Sequence, residues 1–152
     1  MVLTGCLTSK PPARILHEMP ECGIAIELPS YFGEPSRSEG CRYQWSAHEG
    51  LTTFEVSPAL PNDPGLDTHA DTAMLMQTVD YAREAAFGGL PGRERRTQER
   101  LGARNRAVWI GFLEGTKGNL YLKLILVQEE TADEFGEAFW RNLRTNLIRP
   151  LS

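Results

Sequence analysis

A chain of 152 residues, 41% hydrophobic and 24% charged, is long enough to bury one real core and short enough to be one domain. A formal charge of −4 excludes a general nucleic-acid binder, which needs a net basic face to displace counterions from phosphates. No apolar run reaches the roughly 18–20 residues of a membrane-spanning helix, and three cysteines are too few for a disulfide scaffold.

The chain opens Leu3-Thr4-Gly5-Cys6, which resembles a bacterial lipobox: small residues ahead of a cysteine whose thiol takes a diacylglyceryl group. Lys10-Pro11-Pro12-Ala13-Arg14 then reads as a stiff polar tether, because proline pre-extends the backbone. The basic and apolar regions of a signal peptide do not precede Cys6, so either that leader is truncated in this sequence, the favoured reading, or the match is accidental. Leu7, and not aspartate, follows the cysteine; by the lipobox resemblance the mature chain hangs from the outer membrane and faces the periplasm. Residues 1–20 are assigned to this anchor and tether, and residues 21–152 to a single domain.

Cys22 and Cys41 remain open to two readings. An oxidising compartment favours a disulfide between them. In a simple hairpin of the first two predicted strands, however, they sit at opposite ends, beyond the roughly 7 Å reach of a disulfide. The other reading is two small buried thiols.

The first predicted strand is Gly23–Pro29, followed by a loop over 30–40. Cys41, Tyr43 and Trp45 alternate with polar residues in a second strand, and Thr52, Phe54 and Val56 in a third, with a turn at His48-Glu49-Gly50. A helix is expected from the N-cap Thr68, with Leu75, Val79, Ala82 and Ala86 on one face and a stop at Gly88-Gly89-Pro91. Residues 93–102, mostly charged, read as an exposed or edge strand. Ala107–Leu113 and Leu120–Val127 form a hairpin. A closing helix starts with the capping box Thr131/Glu134, buries Phe135, Phe139, Leu143 and Leu147, and stops at Pro150.

The expected fold class is therefore α+β: a six-stranded, mostly antiparallel sheet packed with two amphipathic helices in the order βββαβββα. This order, with the Ile24–Ser30 strand-Leu-Pro opening and the aromatic helix at Phe135–Trp140, resembles the PsbP-like fold. That fold is shared by a photosystem II extrinsic subunit, a nuclear import factor and many bacterial envelope lipoproteins, mostly binding modules.

Catalytic signals are weak. Asp67-Thr68-His69-Ala70-Asp71 alternates metal-ligand types, but acidic residues at a helix start are explained by the helix dipole, so no metal ligand is assigned. His17 and His48 lack partners at ligand spacing. The glycine-rich run 111–118 has neither P-loop spacing nor a following helix. No nucleophile–base pair is visible, so neither catalytic residues nor a cofactor are expected. Six arginines and two glutamates between Arg93 and Arg106 give a local charge of +4, read chiefly as a solvated strand and secondarily as a contact for an anionic surface.

Lipobox, size, acidity and fold together resemble a type VI secretion immunity lipoprotein. That resemblance implies a periplasmic protein that sterically inhibits a secreted peptidoglycan-degrading muramidase, any calcium belonging to the partner. The expected sites are Cys6 for lipidation and Glu49, Asp63, Asp67, Glu114 and Lys117, on loops at one end of the sheet, for the partner. The alternative is an envelope lipoprotein that binds a small ligand or assists assembly. An enzyme is the least supported reading.

Overall fold

The computed structural model describes residues 13–59, 76–101, 104–127 and 132–151. They form ten strands in two sheets and one α-helix. The smaller sheet has the order β1-β2-β10 and the larger β3-β4-β5-β9-β8-β7-β6, every neighbouring pair antiparallel. The strands are β1 Arg14–Met19, β2 Ile24–Pro29, β3 Ser36–Ser38, β4 Arg42–Ala47, β5 Thr52–Pro58, β6 Met76–Phe87, β7 Leu90–Leu101, β8 Arg104–Gly115, β9 Gly118–Val127 and β10 Ile148–Pro150. Helix α1 runs Ala132–Asn142 and widens into a π-helical turn, Leu143–Leu147, before β10.

The core lies between the small sheet, α1 and one face of the large sheet. Ile24, Ile26 and Leu28 of β2 meet Trp45, Phe54, Trp109, Leu122 and Leu124 of the large sheet, with Phe139, Trp140 and Leu143 closing the third side. Period-two alternation produces this face: Leu120, Leu122, Leu124 and Leu126 of β9 are all buried together. All three tryptophans are buried. On the opposite face Val108, Ile110 and Tyr121 make a second, smaller cluster.

The sheet differs from the expected six strands with two helices. Residues 76–87, expected as the second half of a helix, are strand β6, paired with β7 from Met76↔Arg100 to Phe87↔Leu90. The physical reason sits at Gly88-Gly89, both with positive φ (59° and 86°). Two left-handed residues between paired strands make a two-residue hairpin turn, and the same left-handed geometry ends helices. The glycines were thus ambiguous, and the periodic alanines of β6 are compatible with either element. Thr68 and Leu75 lie outside the described residues, as does Thr131 of the capping box.

The charged segment is not an edge. β7 lies between β6 and β8, and β6 is the end strand. Glu94, Arg95 and Glu99 are buried there; Arg83 and Arg144 pair with Glu94, and Arg106 pairs with Glu99. Strand β1 occupies residues 14–19 of the expected tether, pairing along its whole length with β2. Pro150 stops no helix: the helical turn ends at Leu147 and Pro150 closes β10. Of the expected helical stripe, Phe139, Leu143 and Leu147 are buried, whereas Phe135 is 40% exposed.

Cys22 and Cys41 form a disulfide, Cα–Cα 5.1 Å. The geometric objection assumed that β2 and β4 are hairpin partners. They belong to different sheets, so the β1–β2 turn folds over to meet the residue before β4. The ion pair Glu21–Arg37 at 2.9 Å lies beside this link.

Candidate functional site

The turn from β4 to β5 carries Glu49 and is backbone-strained. His48 has φ 53° and Glu49 φ 57°, ψ 34°, followed by Gly50 at φ 86°. A left-handed conformation costs a non-glycine residue about 1–2 kcal/mol, so two in succession persist only when the surroundings impose them. Those surroundings are visible. His48 Nδ1 and Thr52 Oγ1 are hydrogen-bonded at 3.0 Å, Leu51 N donates to His48 O at 3.1 Å, and Val127 N donates to Leu51 O at 2.9 Å. The Tyr31 ring lies 4.8 Å from the His48 ring, and the Phe135 ring meets the His48 ring edge-on at 6.1 Å.

Around the strained tip, Tyr31, Leu51 and Phe135 are each more than a third exposed. Tyr31 from the loop after β2 and Phe135 from α1 thus meet on the His48 ring, in the same turn as the exposed Leu51 and Glu49. Of this group the sequence reading singled out Glu49 alone. It placed Phe135 in the buried helical stripe and read His48 as an ordinary histidine. The helical spacing of Phe135 and Phe139 could not separate them: Phe135 packs on His48 of the β4–β5 turn, whereas Phe139 packs on the core rings of Phe32 and Phe54.

Glu114 and Lys117 are exposed but stand at the other end. β5 pairs with β9 from Thr52↔Leu126 at the Glu49 end to Pro58↔Leu120 at the Glu114 end. Six residue steps of strand separate the two ends by about 20 Å. The Glu114 turn is also docked: Thr116 Oγ1 donates to Gly23 O and to Leu151 O, each at 3.2 Å. The expected single cluster of loops is therefore divided. Asp63, Asp67 and Cys6 lie outside the described residues.

A third polar feature escaped the sequence reading. Glu94, 2% exposed, accepts hydrogen bonds from Trp140 Nε1 at 2.9 Å and Arg83 Nε at 2.7 Å, and pairs with Arg144 Nε at 3.1 Å. Near it Glu137 accepts from Trp109 Nε1 at 3.2 Å, Arg96 Nη1 at 3.3 Å and Tyr81 Oη at 3.2 Å. Burial, with Glu137 and Glu94 adding negative charge, pushes the Tyr81 hydroxyl well above its ordinary range. A carboxylate so fully satisfied by donors holds α1 to β6 and β7. Its hydrogen bonds are occupied within the fold, which suits a structural tie better than a reacting group. Among the described residues no three His, Cys, Asp or Glu side chains gather as metal ligands.

No protein-family model and no curated protein sequence matches the chain. Solved structures do. The solution structure of cyanobacterial PsbP (CyanoP) from Synechocystis sp. PCC 6803 is similar over 94% of this chain and 95% of that one, with TM-score 0.61 and 9% identity. The fold is PsbP-like. PA94 of Pseudomonas aeruginosa, a protein of unknown function, is similar over 90% of this chain and 98% of that one, with TM-score 0.50 and 14% identity. At such identities the likeness concerns the backbone alone.

Proposed function

We propose that this chain is a lipid-anchored envelope protein that inhibits a secreted peptidoglycan hydrolase by docking the His48–Glu49 end of its large sheet onto it. The observation that carries the reading is the pair of left-handed non-glycine residues at an exposed tip. Strain of that kind is retained where a rigid presentation is useful, since a preorganised loop loses little freedom on binding. Tyr31, Leu51 and Phe135 supply the apolar centre of a contact, and Glu49 an acidic group that fixes register on a basic cleft. The Cys22–Cys41 disulfide suits an oxidising compartment outside the cytoplasm. Cys6, in its lipobox-like setting, supplies the anchor, and the outer membrane is the surface it would hold to.

The test is capture from periplasm on the folded, disulfide-intact domain, followed by an assay of the captured hydrolase. The reading expects one hydrolase whose cleavage of peptidoglycan stops when the domain is added and resumes when Glu49→Lys replaces it. A domain that captures nothing and cleaves peptidoglycan by its own side chains would refute it.

A further inference from the structure

The start of β1 and the Glu49 turn lie at one end of the molecule. Ser30 N, just after β2, donates to Ala13 O at 2.7 Å, and the adjoining Tyr31 ring packs on His48. The β1–β2 turn lies at the opposite end, where Thr116 Oγ1 donates to Gly23 O. The chain toward Cys6 therefore leaves the domain at the Tyr31 end. The large apolar side chains exposed among the described residues gather there too. Ile15 and Leu16 open β1, Tyr31, Leu51 and Phe135 surround His48, and Val79 lies across the sheet on the Thr53 row. That row runs Thr53↔Ile125, Ile125↔Val108, Val108↔Thr97 and Thr97↔Val79. The turns at the other end, 20–23, 88–89 and 114–118, carry no exposed large apolar side chain.

We infer that this end seats on the surface of the lipid bilayer to which Cys6 is attached. The inference rests on the lipid-anchor part of the function proposed above. Fully extended, residues 7–13 reach about 25 Å. A link this short holds a contact at about millimolar effective concentration, so even a weak one is occupied. Seating the opposite end would take the link back along β1, about 17 Å for its five residue steps, and bring no exposed apolar side chain to the lipid. Tyr31 suits the interface, its ring against the acyl boundary and its hydroxyl among headgroups. Arg14, at the start of β1 and 4.0 Å from Glu27, adds donors for lipid phosphates. Glu49 keeps the contact at headgroup depth, a seating and not an insertion. Lipid and hydrolase then occupy this end in turn: docking lifts the tip off the bilayer.

The disulfide leaves Cys6 as the free thiol among the three cysteines, which supplies the experiment. The isotope-labelled, disulfide-intact full chain is coupled through Cys6 to a maleimide lipid in phosphatidylcholine nanodiscs that also carry a nitroxide-headgroup lipid. Amide line broadening in NMR spectra is then read. The two ends lie about 20 Å apart, so broadening at Ile15, Tyr31 and Leu51 should exceed that at Gly89 and Lys117 at least about threefold. Leu16→Ser combined with Leu51→Ser, both at exposed positions, should cut that ratio at least about twofold, and Lys117→Glu should leave it unchanged. Equal broadening at the two ends, stronger broadening at Lys117, or a ratio untouched by the double variant would overturn the inference. Tip amides that shift with protein concentration in the absence of lipid would also overturn it, assigning this end to a second copy of the chain. The lipid is attached chemically, so failure here is separate from failure of Cys6 lipidation in the cell, and hydrolase docking is read independently by inhibition in solution.

Discussion

Trp140, in the closing helix, donates its indole N–H at 2.9 Å to Glu94 in the middle of β7, 46 residues earlier in the chain. The bond joins the last helix to the most charged strand. Glu94 is 2% exposed, and the donors around it are what allow a carboxylate to be buried there. Replacing Glu94 by Ala removes the acceptor and leaves Trp140 Nε1 and Arg144 facing each other without it. A loss of about 3 kcal/mol in denaturant unfolding is expected. Arg83→Ala should cost much less, because that side chain is 57% exposed and water replaces its partner. Equal losses for the two variants would show that Glu94 does not tie the helix down.

Gly136 of α1 lies against the indole of Trp109: a Cβ there would collide with the ring and press on Leu126 as well. Trp109 is fully buried and pinned by Glu137, so it has no room to yield. Gly136→Ala should therefore destabilise by about 2 kcal/mol despite the better helix propensity of alanine. A gain in melting temperature would contradict this packing.

Cys22 and Cys41 are 19 residues apart in sequence, and their link closes a loop that restricts the unfolded chain. The double variant Cys22→Ser, Cys41→Ser should lose about 3 kcal/mol in denaturant unfolding, by the loop-closure argument. The same loss is expected for the wild type under reducing conditions, and no loss in either would remove the disulfide from the account.

His17 packs edge-on against Trp45, ring centroids 5.2 Å apart, with its Nε2 buried and lacking a hydrogen-bond partner among the described residues. Burial lowers its pKa below the ordinary 6.5, with Glu34 opposing. The folded state thus binds the proton less readily than the unfolded one. The contribution to stability is present above pH 6.5 and is lost as the pH falls below it. Melting temperatures measured from pH 7 down to about pH 5 should fall less steeply for His17→Gln than for the wild type. Parallel curves would assign the acid sensitivity elsewhere.

Much of the core was legible in the sequence. The alternation in Tyr43–Trp45, Thr52–Val56 and Leu120–Leu126 specified strands and their inner faces, because one buried side fixes register. What misled was β6 and β7. Charged strands with few large apolar residues do not announce burial, and here it rests on partners such as Glu94–Arg144 that lie 50 positions apart in the chain. The Gly88-Gly89 pair serves a helix end and a hairpin equally well. At the candidate site Glu49 was legible as a loop carboxylate. The left-handed strain at His48 and the convergence of Tyr31 and Phe135 were not, since both arise from contacts between elements distant in the chain.

The central claim is that the protein acts by presenting the Glu49 tip to another protein. It is tested most directly by measuring inhibition of the captured hydrolase with variants at the two ends of the sheet. Glu49→Lys and Tyr31→Ala should each weaken inhibition by at least about tenfold, the size of a lost central contact, while Lys117→Glu, some 20 Å away, leaves it intact. Inhibition lost in Lys117→Glu and kept in both tip variants would contradict the account.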